Sequence, residues 1–256
     1  MKIAVCMSGQ LRQWEIAKEN QKWFWETSGV EIDYFIHTWD YSGDREGVSQ
    51  PYVMRDVSQE EFNEVVDWYE PKKYMLDNKK QDFFYANDHW SSLFYSLSKS
   101  LMLKREYEIE NNFTYDVVVK SRPDVIFSPR KHFEIPTLFN NCLYSTHGGP
   151  MEMEFNKYNF NDCVFLGNSY TMDLLTNLYF YRQAGINENT KGNKNIHPLG
   201  PGTLMMEYFS EYGITPFFDL YFQETLLKEG CPEGLDLFEQ KDYEIMNKYF
   251  LEWYNK

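Results

Sequence analysis

YDVVVKSRPD, residues 115 to 124, decides the architecture. Val117, Val118 and Val119 are β-branched and uncharged, the composition of a strand covered on both faces, and such strands belong to parallel sheets flanked by helices. The run stops at Arg122, Pro123 and Asp124. Pro123 has no N–H to give a sheet, so pairing ends there. In an extended segment Arg122 and Asp124, two residues apart, point to the same side. Ligand crevices of open α/β sheets lie outside the carboxyl ends of the strands, so this cation and anion form a ledge suited to a phosphate and to a metal ion or sugar hydroxyl. An Arg/Asp pair that merely closes a strand is the structural alternative.

Working outward, residues 2 to 8 read as a first strand, followed by the turn Ser8-Gly9-Gln10-Leu11-Arg12 and a helix from Trp14 to about Trp25. Strand, glycine turn and helix N-terminus in that order make an anion-binding corner, because free N–H groups and the helix dipole converge there. The corner is neither GxGxxG nor a phosphate-loop GxxxxGK, which leaves a Rossmann dehydrogenase and a P-loop kinase unsupported. Residues 32 to 39 form a second strand, ending in His37, Trp39 and Asp40, with His37 a candidate ligand contact. A loop over 41 to 57, a helix over 58 to 70 capped by Ser58 and a short strand over 73 to 76 follow. From about Asp88 to Asn111, Trp90, Phe94, Leu97 and Leu101 recur at helical spacing, while Ser92, Ser96 and Lys99 share a neighbouring face that can line a phosphate pocket. FQETLLKEG and YEIMNKYFLEWYNK, within residues 219 to 256, read as two amphipathic helices forming a C-terminal extension.

These patterns define an α/β chain with a mixed, mostly parallel central sheet flanked by helices. With 256 residues, no Gly/Ser- or Pro-rich linker and no repeat, a single domain over 1 to 256 is expected. The net charge of −14 and a pI near 4.8 argue against nonspecific nucleic-acid binding. They leave room for an anionic small ligand, since charges beyond about 8 Å are screened at physiological salt. Cysteines 6, 142, 163 and 231 show no CxxC spacing, pointing to a reduced, cytoplasmic chain. No apolar run approaches the roughly 18 residues of a membrane span, and the N-terminus does not read as a signal peptide.

Asn161-Asp162 opens the next apolar run, DCVFLG. An acid there can serve as general base toward an acceptor hydroxyl, with Glu152 and Glu154 as competitors and a turn-stabilising Asp as the structural alternative. His147 and His197 can each reach a metal or phosphate, though neither has spacing to other ligands.

Taken together, SGQLR after the first strand, DYFIHTWD ending the second, SLSKSL leading into YDVVVKSRPDVIF, and NDCVFLGNSYTMD resemble a family of glycosyltransferase-like proteins of phages, other viruses and bacteria, over roughly residues 1 to 215. Its members look like nucleotide-diphospho-sugar transferases of the GT-A type. The resemblance implies a nucleotide-sugar donor, a glycan or other hydroxyl acceptor, and a cytoplasmic location, the host's for a viral chain. It implies that Ser8, Gly9, Gln10, Arg12, His37, Lys99 and Arg122 approach the nucleotide diphosphate. Asp162, Asp124 and Arg122 become the candidate catalytic residues, and Asp124 the candidate ligand of a divalent cation, Mn2+ or Mg2+. Two departures stand out. Position 122 is Arg where GT-A enzymes usually carry the first acid of Asp-x-Asp, and Pro201 is followed by Gly202 where related chains carry Pro-Glu. The first departure gives a catalytically inactive nucleotide- or glycan-binding module as the alternative function, with a structural interaction protein a third.

Overall fold

The structure is a computed structural model that describes residues 1–26, 30–43, 55–78, 89–127, 135, 137–146, 160–189, 201–220 and 224–226. Its centre is a seven-stranded sheet in the order β10-β8-β9-β6-β1-β2-β5. The strands are β1 (Lys2–Ser8), β2 (Glu31–Trp39), β5 (Lys73–Asp77), β6 (Val117–Ser121), β8 (Cys142–Thr146), β9 (Phe165–Gly167) and β10 (Thr215–Leu220). β1 pairs in parallel with β2 and β6, β2 with β5, and β8 with β10, while β9 runs antiparallel between β6 and β8. The mixed, mostly parallel sheet is therefore as the apolar strands indicate.

Alternation along the buried strands divides the core in two. Ile3, Val5, Met7, Ile36, Val117 and Val119 face α1 (Trp14–Glu26) and α2 (Gln59–Tyr69). Ala4, Cys6, Phe35, Val118 and Phe165 face α3 (His89–Asn111), α4 (Ser169–Leu174) and α6 (Pro201–Tyr212). A further helix, α5 (Leu178–Asn189), packs on α3. Phe94, Leu97 and Leu101 form the buried stripe of α3. Ser58 caps α2, its Oγ accepting from Glu61 N at 3.1 Å, and Glu70 closes it in the left-handed conformation with φ 47°.

Three readings change. The stretch 41 to 57 contains two short paired strands, β3 (Tyr41–Ser42) and β4 (Arg55–Asp56). Arg122 to Asp124 is not extended: the chain turns through Pro123 and Asp124 into β7 (Val125–Phe127). Within FQETLLKEG, read as a helix, residues 224–226 form strand β11 (Glu224–Leu226), antiparallel to β7. Leu and Glu favour helix in isolation, but an open strand edge offers a complete set of backbone partners, and tertiary pairing overrides propensity. The second C-terminal helix lies outside the described residues.

Candidate functional site

The carboxyl ends of β1, β2, β5 and β6 share one edge of the sheet, and the charged residues collect there in two groups. The first is built on the turn after β6. Arg122 grips Asp124 with two parallel bonds, Nε to Oδ1 at 2.8 Å and Nη2 to Oδ2 at 2.8 Å. Arg12, from the turn after β1, donates Nε to the same Oδ2 at 2.9 Å and places its Nη2 at 2.9 Å. Burial alone would push the Asp124 carboxyl up, but the two guanidiniums outweigh it and hold it below the usual carboxylate range. Two guanidiniums against one carboxylate leave the group with a positive excess, in a chain of net charge −14.

Gly9 gives the backbone the conformation it takes beside this arrangement. Its φ of +134° is a conformation that side-chain-bearing residues rarely adopt, and the Arg122 side chain passes 3.9 Å from where a Cβ would sit. Gln21, from α1, fixes the turn from beneath: its amide nitrogen lies 2.8, 3.0 and 2.7 Å from the carbonyl oxygens of Arg122, Pro123 and Val125. Asn20 adds a reciprocal pair with the Phe127 backbone, at 2.9 and 2.7 Å. Sequence reasoning missed both residues. Their polar identity on an otherwise apolar helix face was the available signal.

Asp162 joins the first group because β9 runs antiparallel to β6, which brings the turn before β9 to the carboxyl end of β6. Its charge reaches both Arg122 and Lys120. Lys120 is a third residue that sequence reasoning passed over. It is fully buried, its amine donates to the main-chain carbonyls of Asp162 and Cys163, and burial pushes its pKa down to about 8. Ser8, at the end of β1, is buried with its hydroxyl unpartnered among the described residues.

The second group sits at the ends of β2 and β5. Buried His37 has both ring nitrogens engaged, Nδ1 at 2.7 Å from Ser96 Oγ and Nε2 at 3.1 Å from Asp77 Oδ2. Burial lowers its pKa against the pull of Asp77, so the ring is neutral, donating Nε2–H to Asp77 and accepting from Ser96. The His37 hydrogen bond, with Tyr95 O–H at 3.0 Å, holds the Asp77 carboxyl below its usual range. Lys99 lies over the Tyr95 ring, 5.1 Å from its centre. Gln10 spends its amide on the backbone of Gly43, donating and accepting at 3.1 Å.

The structure thus brings together Ser8, Gly9, Arg12, Arg122, Asp124 and Asp162, sets His37 and Lys99 beside Asp77, and turns Gln10 to a structural contact. His147, His197, Glu152 and Glu154 lie outside the described residues. A divalent cation does not fit at Asp124 in this arrangement, because both carboxylate oxygens accept from guanidinium N–H groups and a second positive charge would meet Arg12 and Arg122 at hydrogen-bond range. Among the described residues no group of three or more His, Cys, Asp or Glu is placed to hold a metal ion. Nor is any helix among them long and apolar enough to cross a membrane.

Fold and site define the class: an α/β protein with a mostly parallel sheet and a guanidinium-rich cluster at its carboxyl edge. No protein-family model matches the chain, and no curated protein matches it. Among solved structures it is similar to a crystal structure of a glycosyltransferase involved in the glycosylation of the major capsid of PBCV-1, with a TM-score of 0.44 and 12% identity over 85% of this chain and 81% of that one.

Proposed function

We propose that the chain is a glycosyltransferase that moves a sugar from a nucleotide-diphosphate donor to a hydroxyl of a glycan or other acceptor. The observation that carries the reading is the pairing of Arg12 and Arg122 on one carboxylate at the carboxyl edge of a mostly parallel sheet, which leaves positive charge where such folds bind phosphorylated ligands. In the transfer, the acceptor oxygen bonds to the anomeric carbon as the bond from that carbon to the β-phosphate oxygen breaks. The electron pair leaves on the nucleoside diphosphate. Arg12 and Arg122 answer that growing charge, preorganised by Asp124 and Gln21 so that little reorganisation is needed. The acceptor proton goes to the Asp162 carboxylate, which stands near Arg122.

The sequestration of Asp124 by two guanidiniums also favours a second reading, a nucleotide-binding module without transfer activity. Turnover separates the two. A panel of nucleotide sugars, assayed for release of nucleoside diphosphate with and without Mn2+, should give turnover that falls about a hundredfold or more in Asp162→Asn with diphosphate affinity retained. Diphosphate binding with no turnover of any donor would leave the binding module.

A further inference from the structure

Lys120 is fully buried on β6, and among the described residues its amine is hydrogen-bonded only to main-chain carbonyls, those of Asp162 and, at 2.8 Å, Cys163. Core stability does not explain a lysine there. An apolar side chain of similar volume would fill the space without the desolvation penalty of an ammonium, and such replacements are often neutral or stabilising. What the amine does provide is two charge-assisted donors aimed at consecutive carbonyls of one turn, and no apolar residue can supply those.

That turn is fastened on every side. Phe160 packs into the core against Phe165 and Phe209, with ring centres 5.3 and 4.9 Å apart. Asn161 Oδ1 accepts from Cys163 N at 2.8 Å, and Ser145 Oγ donates to the Val164 carbonyl at 3.3 Å. Lys120 holds the two residues between those anchors, and one of them is the half-buried Asp162. The cross-strand partner of Lys120 on β1 is Cys6, and Arg122 follows it by two residues, so the amine ties the β9 side of the crevice to the strand that carries the guanidinium cluster.

We infer that Lys120 is a positioning residue: its amine fixes the Asp162–Cys163 turn so that Asp162 is held at the carboxyl end of β6, the strand that leads into Arg122. The inference rests on the reading of Asp162 as the acceptor-side acid, and its first test is independent of turnover. In Lys120→Met, amide hydrogen exchange at residues 162–165 should quicken by about tenfold or more while β1 and β2 stay protected, and alkylation of Cys163 by iodoacetamide, followed by peptide mapping, should quicken with it. Where the parent turns over a nucleotide sugar, Lys120→Met should lower kcat by about the factor seen in Asp162→Asn, on the order of a hundredfold, with donor KM within a few-fold. The double variant should lose little more, because both changes remove the same positioned carboxylate. A parent that turns over no donor counts against glycosyl transfer and leaves exchange and alkylation to decide on Lys120. Exchange and alkylation rates equal to those of the parent overturn the inference. Should Lys120→Met fail to fold, Lys120→Gln, which keeps N–H donors on a shorter stem, takes its place with the same expectation. Failure of both to fold also overturns it, by making Lys120 a determinant of the fold.

Discussion

Arg12 and Asp124 are 112 residues apart in sequence and meet at 2.9 Å, sharing the carboxylate oxygen that Arg122 also grips at 2.8 Å. The contact ties the turn after β1 to the turn after β6. Those strands are neighbours in the sheet, so the two guanidiniums stand side by side with their geometry set before any ligand arrives.

Asp124 is accordingly a counter-ion. Asp124→Ala strands two buried guanidiniums and should cost about 3–5 kcal/mol in urea unfolding, with chelator making no difference to the parent. A loss below about 1 kcal/mol together with a chelator-sensitive melting temperature would return Asp124 to the role of metal ligand.

Gln21 offers a sharper test of the turn. Gln21→Leu leaves buried carbonyls of Arg122, Pro123 and Val125 short of a donor and should cost about 1–3 kcal/mol. Gln21→Glu should cost more, since at neutral pH it sets a carboxylate against three carbonyl oxygens. Equal thermal stability of Gln21→Glu and the parent would contradict the geometry.

His37 sets the acid side of the stability profile. Its folded pKa lies below the ordinary 6.5, so as pH falls through about 6.5 the unfolded chain takes up a proton that the folded chain refuses. Stability should therefore drop from pH 7 toward pH 5, and His37→Gln should flatten that limb. Asp77 does not confound the window, because its lowered pKa places its loss of stability below the ordinary 3.8. A parent and variant with parallel profiles between pH 7 and 5 would mean that the folded ring takes up its proton as readily as the unfolded chain does.

Lys120 acts at the other end. With its pKa pushed down to about 8 from an ordinary 10.5, the unfolded chain holds a proton through that window that the folded chain has released. Its contribution to stability therefore rises with pH from about 8 to 10.5. The unfolding free energy of the parent minus that of Lys120→Met should increase over this range by up to about 3 kcal/mol. A flat difference would mean that the amine keeps its proton while buried.

Local pattern carried the sheet and its long helices. β1 matches the apolar run after Met1, α2 begins where Ser58 can cap it, and α3 buries Phe94, Leu97 and Leu101 at helical spacing. The Arg122 and Asp124 ledge was legible as a charged strand end, but not as a turn, because Pro123 is compatible with either geometry. What local pattern cannot carry is partnership across the fold. Asp124 as counter-ion depends on Arg12, the neutral state of His37 on Ser96 and Asp77, and the hold on the turn on Gln21, each contributed by another element. β11 was read as helix for the same reason, since only the neighbouring edge of β7 selects strand there.

The central claim is that the Arg12 and Arg122 cluster receives a nucleoside diphosphate, and thermal unfolding with UDP, GDP, CDP, ADP and dTDP tests it most directly. One of these, at about a hundred times its dissociation constant, should stabilise the parent by about 2.7 kcal/mol. The same nucleotide should stabilise Arg122→Lys far less, since lysine keeps the charge but loses the two-pronged guanidinium geometry. Stabilisation by none of the five, in the presence or absence of Mg2+ or Mn2+, would contradict the account.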